Sequence, residues 1–156
     1  MRTSELLVAG RAGMQDKKIT LNDYYFNLDD VYPGQEKDEK RFRDIMGAIS
    51  DSFNGELAES AFHRPPLFYT LYCVVYHHIF GLPGIQRSTP QKRLGTEEKD
   101  SLREAVIGLS DIVSQAKQPG AQVSKKHSSF VTACLRSTDK ITPRKVRFNS
   151  LYDAAF

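Results

Sequence analysis

The sequence predicts an all-α fold, a compact bundle of six or seven helices around one central apolar helix. Apolar residues recur at spacings of three and four along most of the 156-residue chain, which is the period of an amphipathic helix. No stretch combines period-2 alternation with the β-branched enrichment that is typical of strands. The length suits a single helical domain, 1–156, with one core.

Three helices with one apolar face each are predicted before the central one. The first is Thr3–Ala12, and Gly13 ends it. The second starts at Thr20, whose hydroxyl can cap free N–H groups, and Pro33-Gly34 breaks it. The third runs over about Glu36–Phe53, where apolar residues stand every three or four positions.

Residues 66–80 are predicted to form the central helix, because Leu67–Phe80 is apolar on every face. Pro65-Pro66 opens it, since proline fits the first turn of a helix, and Gly81 follows its end. It is shorter than the ~20 apolar residues of a membrane span, so no membrane partner is expected. Two cysteines in separate apolar segments predict buried, reduced thiols and a cytoplasmic location.

Three further helices are predicted after a loop at residues 82–95. Thr96 is expected to cap the first, which runs to Ala116 with two acids in its first turn. The second is Ser124–Arg136. The last follows Thr142-Pro143, read as a cap and a first helical position, and ends at about Ala155.

Charge is unevenly distributed along the chain, whose net charge is +3. Residues 1–62 carry 8 Lys/Arg and 12 Asp/Glu, whereas residues 117–156 carry 8 and 2. Either residues 117–156, the basic tail, bind an anionic partner, or the fold is self-complementary and the tail pairs with acidic residues of the same chain. The sequence leaves both possibilities open. A second, smaller basic group stands in the loop, at Arg87, Lys92 and Arg93.

The tail is the predicted nucleic-acid-binding site. Its candidate residues are Arg136, Lys140, Arg144, Lys145 and Arg147. Arg144 and Arg147 share a helix face, and the free N–H groups of the helix start favour a phosphate nearby. An ordinary solvated surface is the alternative reading of these residues.

No catalytic residue, cofactor or metal site is predicted. Adjacent His77 and His78 point about 100° apart on a helix, so they do not chelate one metal together. An enzyme that uses His77 with an acidic residue is the third hypothesis. Gly10 to Gly13 matches the GxxG of a KH loop, but the alternation of helix and strand around such a loop is missing.

Three segments together resemble one protein family: SELLVAGRAGMQDKK, FHRPPLFYTLYCVVYHHIFGLP and RSTDKITPRKVRFNSLYDAAF. They are similar to the helical region of the GmrSD-type restriction endonucleases, a large family of bacterial domains with a ParB/sulfiredoxin-like nuclease fold. The family's D-G-Q-Q-R-type motif and the HNH nuclease of some relatives are absent from this chain. The resemblance therefore implies a non-catalytic helical part, from either a truncated gene product or a separate subunit.

The function expected from these observations is a helical DNA-binding or assembly module of a bacterial restriction or phage-defence protein. It would position DNA or a partner nuclease and do no chemistry itself. The alternative is a protein-interaction module that dimerises through its N-terminal helix. The apolar pattern of that helix begins mid-element, so Leu6, Leu7 and Val8 are expected to be covered by another chain or to be poorly ordered.

Overall fold

A computed structural model describes residues 3–16, 32–88 and 91–156 of the chain. The described residues form six α-helices and two short 3₁₀ turns, with no strand among them, so the all-α prediction is confirmed. The second predicted helix, from Thr20, lies outside the described residues. The helices are α1 (Thr3–Ala12), α2 (Gln35–Phe53), α3 (Pro65–Phe80), α4 (Thr96–Ala116), α5 (Ser128–Leu135) and α6 (Ile141–Ala155), and the 3₁₀ turns are Glu56–Glu59 and Ala61–His63.

Helix α3 is the centre of the bundle, as its all-round apolar character predicts. Twelve of its 16 residues are buried, and Leu71, Val74 and Val75 have no exposed surface. It packs against α1, α2 and α6, and α6 also contacts α4 and α5. No helix among the described residues has the length and apolarity needed to cross a bilayer.

Two glycines let α1 and the residue after it approach the central helix and the loop that follows it. A Cβ on Gly10 would lie 2.7 Å from Cε2 of Tyr76, and one on Gly13 would lie 2.2 Å from the carbonyl oxygen of Pro83. Gly13 also has a φ of 82°, a left-handed conformation that favours glycine at the end of a helix. The GxxG spacing is thus explained by packing.

The apolar start of α1 is covered largely by the chain itself. Leu6 is 3% exposed within the core, and Leu7 and Val8 are half-buried. The expectation that another chain must cover Leu6 is therefore wrong, because this fold covers it. Dimerisation through the rest of this helix stays a prediction.

Two helices start at other residues than the sequence predicts. The N-cap of α4 is Gly95, not Thr96, and its N–H donates to Oε2 of Glu98 at 2.5 Å. Helix α6 starts at Ile141, two residues before Pro143, and the N–H of Ile141 donates to Oδ1 of Asp16 at 2.6 Å. The penultimate helix is also shorter than predicted, since residues 124–127 form a turn before α5.

Candidate nucleic-acid interface

Arg147, one of the predicted phosphate-binding residues, lies in the core with no exposed surface. Its Nε donates to Oγ1 of Thr70 at 3.1 Å, Nη1 to the carbonyl of Ala133 at 2.6 Å, and Nη2 to the carbonyl of Thr138 at 2.8 Å. The guanidinium therefore joins α6 to the central helix and to the end of α5. A side chain used in this way does not reach a nucleic acid at the surface.

Arg144 is buried as well, at 3% exposure, and it joins the two ends of the chain. It forms an ion pair with Glu5 of α1, and its Nη1 donates to the carbonyl of Gln15 at 2.9 Å. The guanidinium carbon lies 4.0 Å from the ring centroid of Tyr69, within the range of a cation–π contact.

The five predicted tail residues therefore do not form one phosphate-binding face. Arg144 and Arg147 do share a helix face, but that face points inward because remote segments supply its acceptors. Arg136, Lys140 and Lys145 are exposed, and binding through them stays a prediction. The predicted phosphate position at the start of α6 holds the carboxylate of Asp16, which is an anion from the chain itself.

A small cleft of about 200 Å³ adjoins the two buried arginines. Its charged lining residues are Glu5, Asp139, Arg144 and Arg147. Two acids offset two cations there, and Arg144 is already paired with Glu5. This balance does not favour an anionic ligand.

A larger cleft of about 650 Å³ is strongly basic. It lies between α2, the C-terminal end of α3, and residues 91–99. Six cations line it against two carboxylates, Asp44 and Asp51. The cations of this basic cleft are Lys40, Arg41, Arg43, Lys92, Arg93 and Lys99.

Three cations of the basic cleft pair with carboxylates within the chain, and one of them is Lys92, which lies 3.0 Å from the half-buried Glu98. Lys40 pairs with Asp44 at 3.0 Å, and Arg43 lies 3.9 Å from Glu39, both as exposed i, i+4 contacts. Such surface pairs contribute about 0.3–0.5 kcal/mol each and exchange readily for another anion. Arg93 and Lys99 have no ion pair within the part of the chain that the structure describes.

Part of the lining of the basic cleft is apolar. These residues, called the floor below, are Gly47 and Ala48 of α2, Ile79 and Phe80 of α3, and Leu94. A Cβ built on Gly47 has no atom within 4 Å, so this part of the cleft is open space. The cleft thus combines a charged rim with a floor that water solvates poorly.

Sequence reasoning found two of the six cleft cations, Lys92 and Arg93, and missed the ones on α2 and α4. The missed residues stand on the polar faces of amphipathic helices, where charged residues are ordinary. Arg87, the third member of the predicted loop group, is elsewhere: it pairs with Asp153, and its guanidinium carbon lies 4.7 Å from the ring centroid of Tyr152.

The two adjacent histidines are core residues. Nδ1 of His77 accepts a hydrogen bond from the N–H of Leu82 at 3.0 Å, and its ring packs edge-on against Phe148 and Tyr152. His77 is 1% exposed, and burial lowers its pKa. This surrounding explains His77 as a packing and hydrogen-bonding residue, and it leaves no open access for a substrate.

His78 lies near a carboxylate. Its Nε2 is 3.6 Å from Oε1 of Glu98, and its ring stacks on Phe156 with centroids 4.2 Å apart. It is 2% exposed, and burial lowers its pKa despite the neighbouring carboxylate. Among the described residues no group of three or more His, Cys, Asp or Glu side chains is arranged to hold a metal ion.

Comparison of the chain with protein-family models, with curated proteins and with solved structures found no match. The resemblance to the helical region of GmrSD-type restriction endonucleases therefore stays a prediction.

Proposed function

We propose that this chain is a helical module that binds nucleic acid through the phosphate backbone in its basic cleft. The observation that supports the proposal is the convergence of six Lys/Arg side chains from three separate segments on one cleft that has two carboxylates. Cations that replace condensed counterions around phosphates supply most of the affinity in sequence-independent binding. The proposal moves the binding site from the tail to the cleft.

The wider context is part of the same proposal. In a bacterial restriction or phage-defence protein, such a module would hold DNA in place for a partner nuclease and would do no chemistry itself. A cytoplasmic location fits this role, and Cys73 and Cys134 are both free thiols, the form that a reducing compartment maintains. Dimerisation through α1 is the alternative role, and light scattering would detect it.

A salt titration tests the proposal directly. The probe is mixed-sequence DNA of about 20 nucleotides, longer than the ~4–16-nucleotide sites of single-strand binders, used both single-stranded and as a duplex. If about four cations contact phosphates, log affinity measured by fluorescence anisotropy should fall with log salt at a slope of about −3 to −4. Absence of binding to both probes at low salt contradicts the proposal.

Matched triple variants locate the site. Arg43→Ala, Arg93→Ala and Lys99→Ala together remove three cleft cations, and the slope should become less steep by about one per lost contact. Arg136→Ala, Lys140→Ala and Lys145→Ala remove the same charge from the exposed tail and should leave affinity nearly unchanged. If only the tail triple weakens binding, the site lies in the tail. A general effect of net charge is excluded because both triples remove three positive charges.

A further inference from the structure

We infer that the basic cleft binds single-stranded nucleic acid, with an unpaired base placed against its apolar floor. This inference rests on the proposed function and names its substrate class. The observation behind it is that the apolar residues Gly47, Ala48, Ile79, Phe80 and Leu94 line the same cleft as the six cations.

A duplex does not use such a floor. Its bases are stacked inside, so a protein meets phosphates, sugars and the edges of bases in the grooves. A duplex on the rim of this cleft would contact the cations and leave the apolar floor unfilled. A single strand offers the flat faces of its bases, and burying them against apolar and aromatic side chains is favourable with any sequence.

The dimensions and the local chemistry suit a base. The volume of about 650 Å³ lies within the ~300–1,000 Å³ of ligand pockets. Phe80 is half-buried at the floor, and the guanidinium carbon of Arg41 lies 4.8 Å from its ring centroid. Nη1 of Arg41 donates to the hydroxyl of Tyr76 at 3.3 Å, which helps to fix the guanidinium. Bases stack on guanidinium planes as well as on aromatic rings.

The positions of the cations suit a strand that crosses the cleft. Lys40 and Arg43 belong to α2, whereas Lys92, Arg93 and Lys99 lie on the segment that faces it. Phosphates on both sides of a bound base would then meet cations from different elements. A free phosphate needs no apolar floor, and an acidic peptide offers no flat base to it.

Gly47 provides a variant that fills the floor without changing charge. Leucine has a higher helix propensity than glycine, and open space surrounds a Cβ at this position, so Gly47→Leu should fold. Gly108→Leu is the matched control, since Gly108 is also an exposed glycine within a helix with open space around its Cβ, and it does not line the cleft. Gly47→Gln is a second filling variant with a polar side chain.

The measurement compares oligothymidylate of about 20 nucleotides with its duplex with oligodeoxyadenylate at the same salt concentration. The unmodified chain should bind the single strand more tightly. Gly47→Leu and Gly47→Gln should lower single-strand affinity by about 5- to 150-fold, the effect of one lost base stack, and leave duplex affinity within about twofold. Gly108→Leu should change neither affinity.

Other outcomes separate the inference from the proposed function. Equal or tighter binding of the duplex, or no effect of either Gly47 variant, overturns the inference while nucleic-acid binding stands. Absence of binding to both probes overturns the proposed function and the inference together. Displacement of the single strand by an equal concentration of a glutamate-rich peptide overturns both in favour of an acidic protein partner.

Discussion

Arg147 shows how one buried side chain can hold a core together through hydrogen bonds to neutral groups. Its three hydrogen bonds go to a hydroxyl and two carbonyl oxygens, all neutral acceptors. The planar guanidinium presents its donors in a fixed fork, so one residue satisfies acceptors on three segments. Thr70 takes part by donating its own hydroxyl to the carbonyl of Pro66 at 3.1 Å while it accepts from Arg147.

Replacement of Arg147 by lysine should therefore destabilise the fold although it keeps the charge. A single ammonium group cannot reach all three acceptors, and each buried acceptor left without a donor costs about 1–3 kcal/mol. We expect Arg147→Lys to lower the free energy of unfolding by about 2–4 kcal/mol in urea titrations. Lys145→Ala, at an exposed position on the same helix, should stay within about 0.5 kcal/mol. Equal stability of the two variants would mean that the fork is not needed.

At the scale of elements, close contact between α1 and α3 depends on glycine at position 10, which has no side chain. Tyr76 is 2% exposed, so its ring has little room to move away from an added methyl group at Gly10. Gly108 in α4 has open space around its Cβ instead. Both glycines lie within a helix, but a Cβ on Gly10 would meet a packed ring and a Cβ on Gly108 would meet open space.

Alanine at these two positions should accordingly change stability in opposite directions. Gly10→Ala should destabilise the chain by about 1–3 kcal/mol, because overpacking forces the Tyr76 ring or α1 to shift. Gly108→Ala should stabilise it by about 0.5–1 kcal/mol through helix propensity. Thermal unfolding followed by circular dichroism measures both. A neutral Gly10→Ala would show that α1 docks less tightly than the distance to Tyr76 indicates.

The helices could be predicted from sequence because apolar spacing is a local property, and α3 could be placed at the centre because no face of it is polar. The start of α6 could not be predicted in this way, because its cap is Asp16, 125 residues away. The inward direction of Arg144 and Arg147 had the same cause: their acceptors belong to other segments. The basic cleft joins residues 40–51 to residues 79–80 and 91–99, and no local pattern links them.

At the scale of the whole molecule, some of the unevenly distributed charged residues contact groups in distant parts of the same chain. The acidic N-terminal region supplies Glu5 to Arg144 and Asp16 to the start of α6. Arg87 from the loop pairs with Asp153 near the C-terminus. The self-complementary alternative therefore accounts for these tail contacts, whereas the cations of the basic cleft come from elements outside the tail.

Two buried neutral histidines should make the stability of the molecule depend on pH. Burial lowers the pKa values of His77 and His78 from the ordinary 6.5. When the pH falls through 6.5, the unfolded chain takes up protons that the folded chain does not, so the free energy of unfolding declines. The stabilisation by the two neutral histidines is fully present above pH 6.5. The pKa of Glu98 is lowered by the hydrogen bond from the N–H of Gly95, so the titration of this carboxylate does not overlap the pH range in which the histidines act.

Urea titrations at about pH 7.5 and about pH 5.5 measure this effect, and most carboxylates stay ionised at both values. We expect lower stability at the acidic value for the unmodified chain. The pair His77→Gln and His78→Gln should show a smaller difference, since glutamine does not titrate and can still accept the hydrogen bond from Leu82. His63→Gln changes an exposed histidine and should retain the full difference. If the double variant keeps the same pH dependence, the two buried imidazoles are not its source.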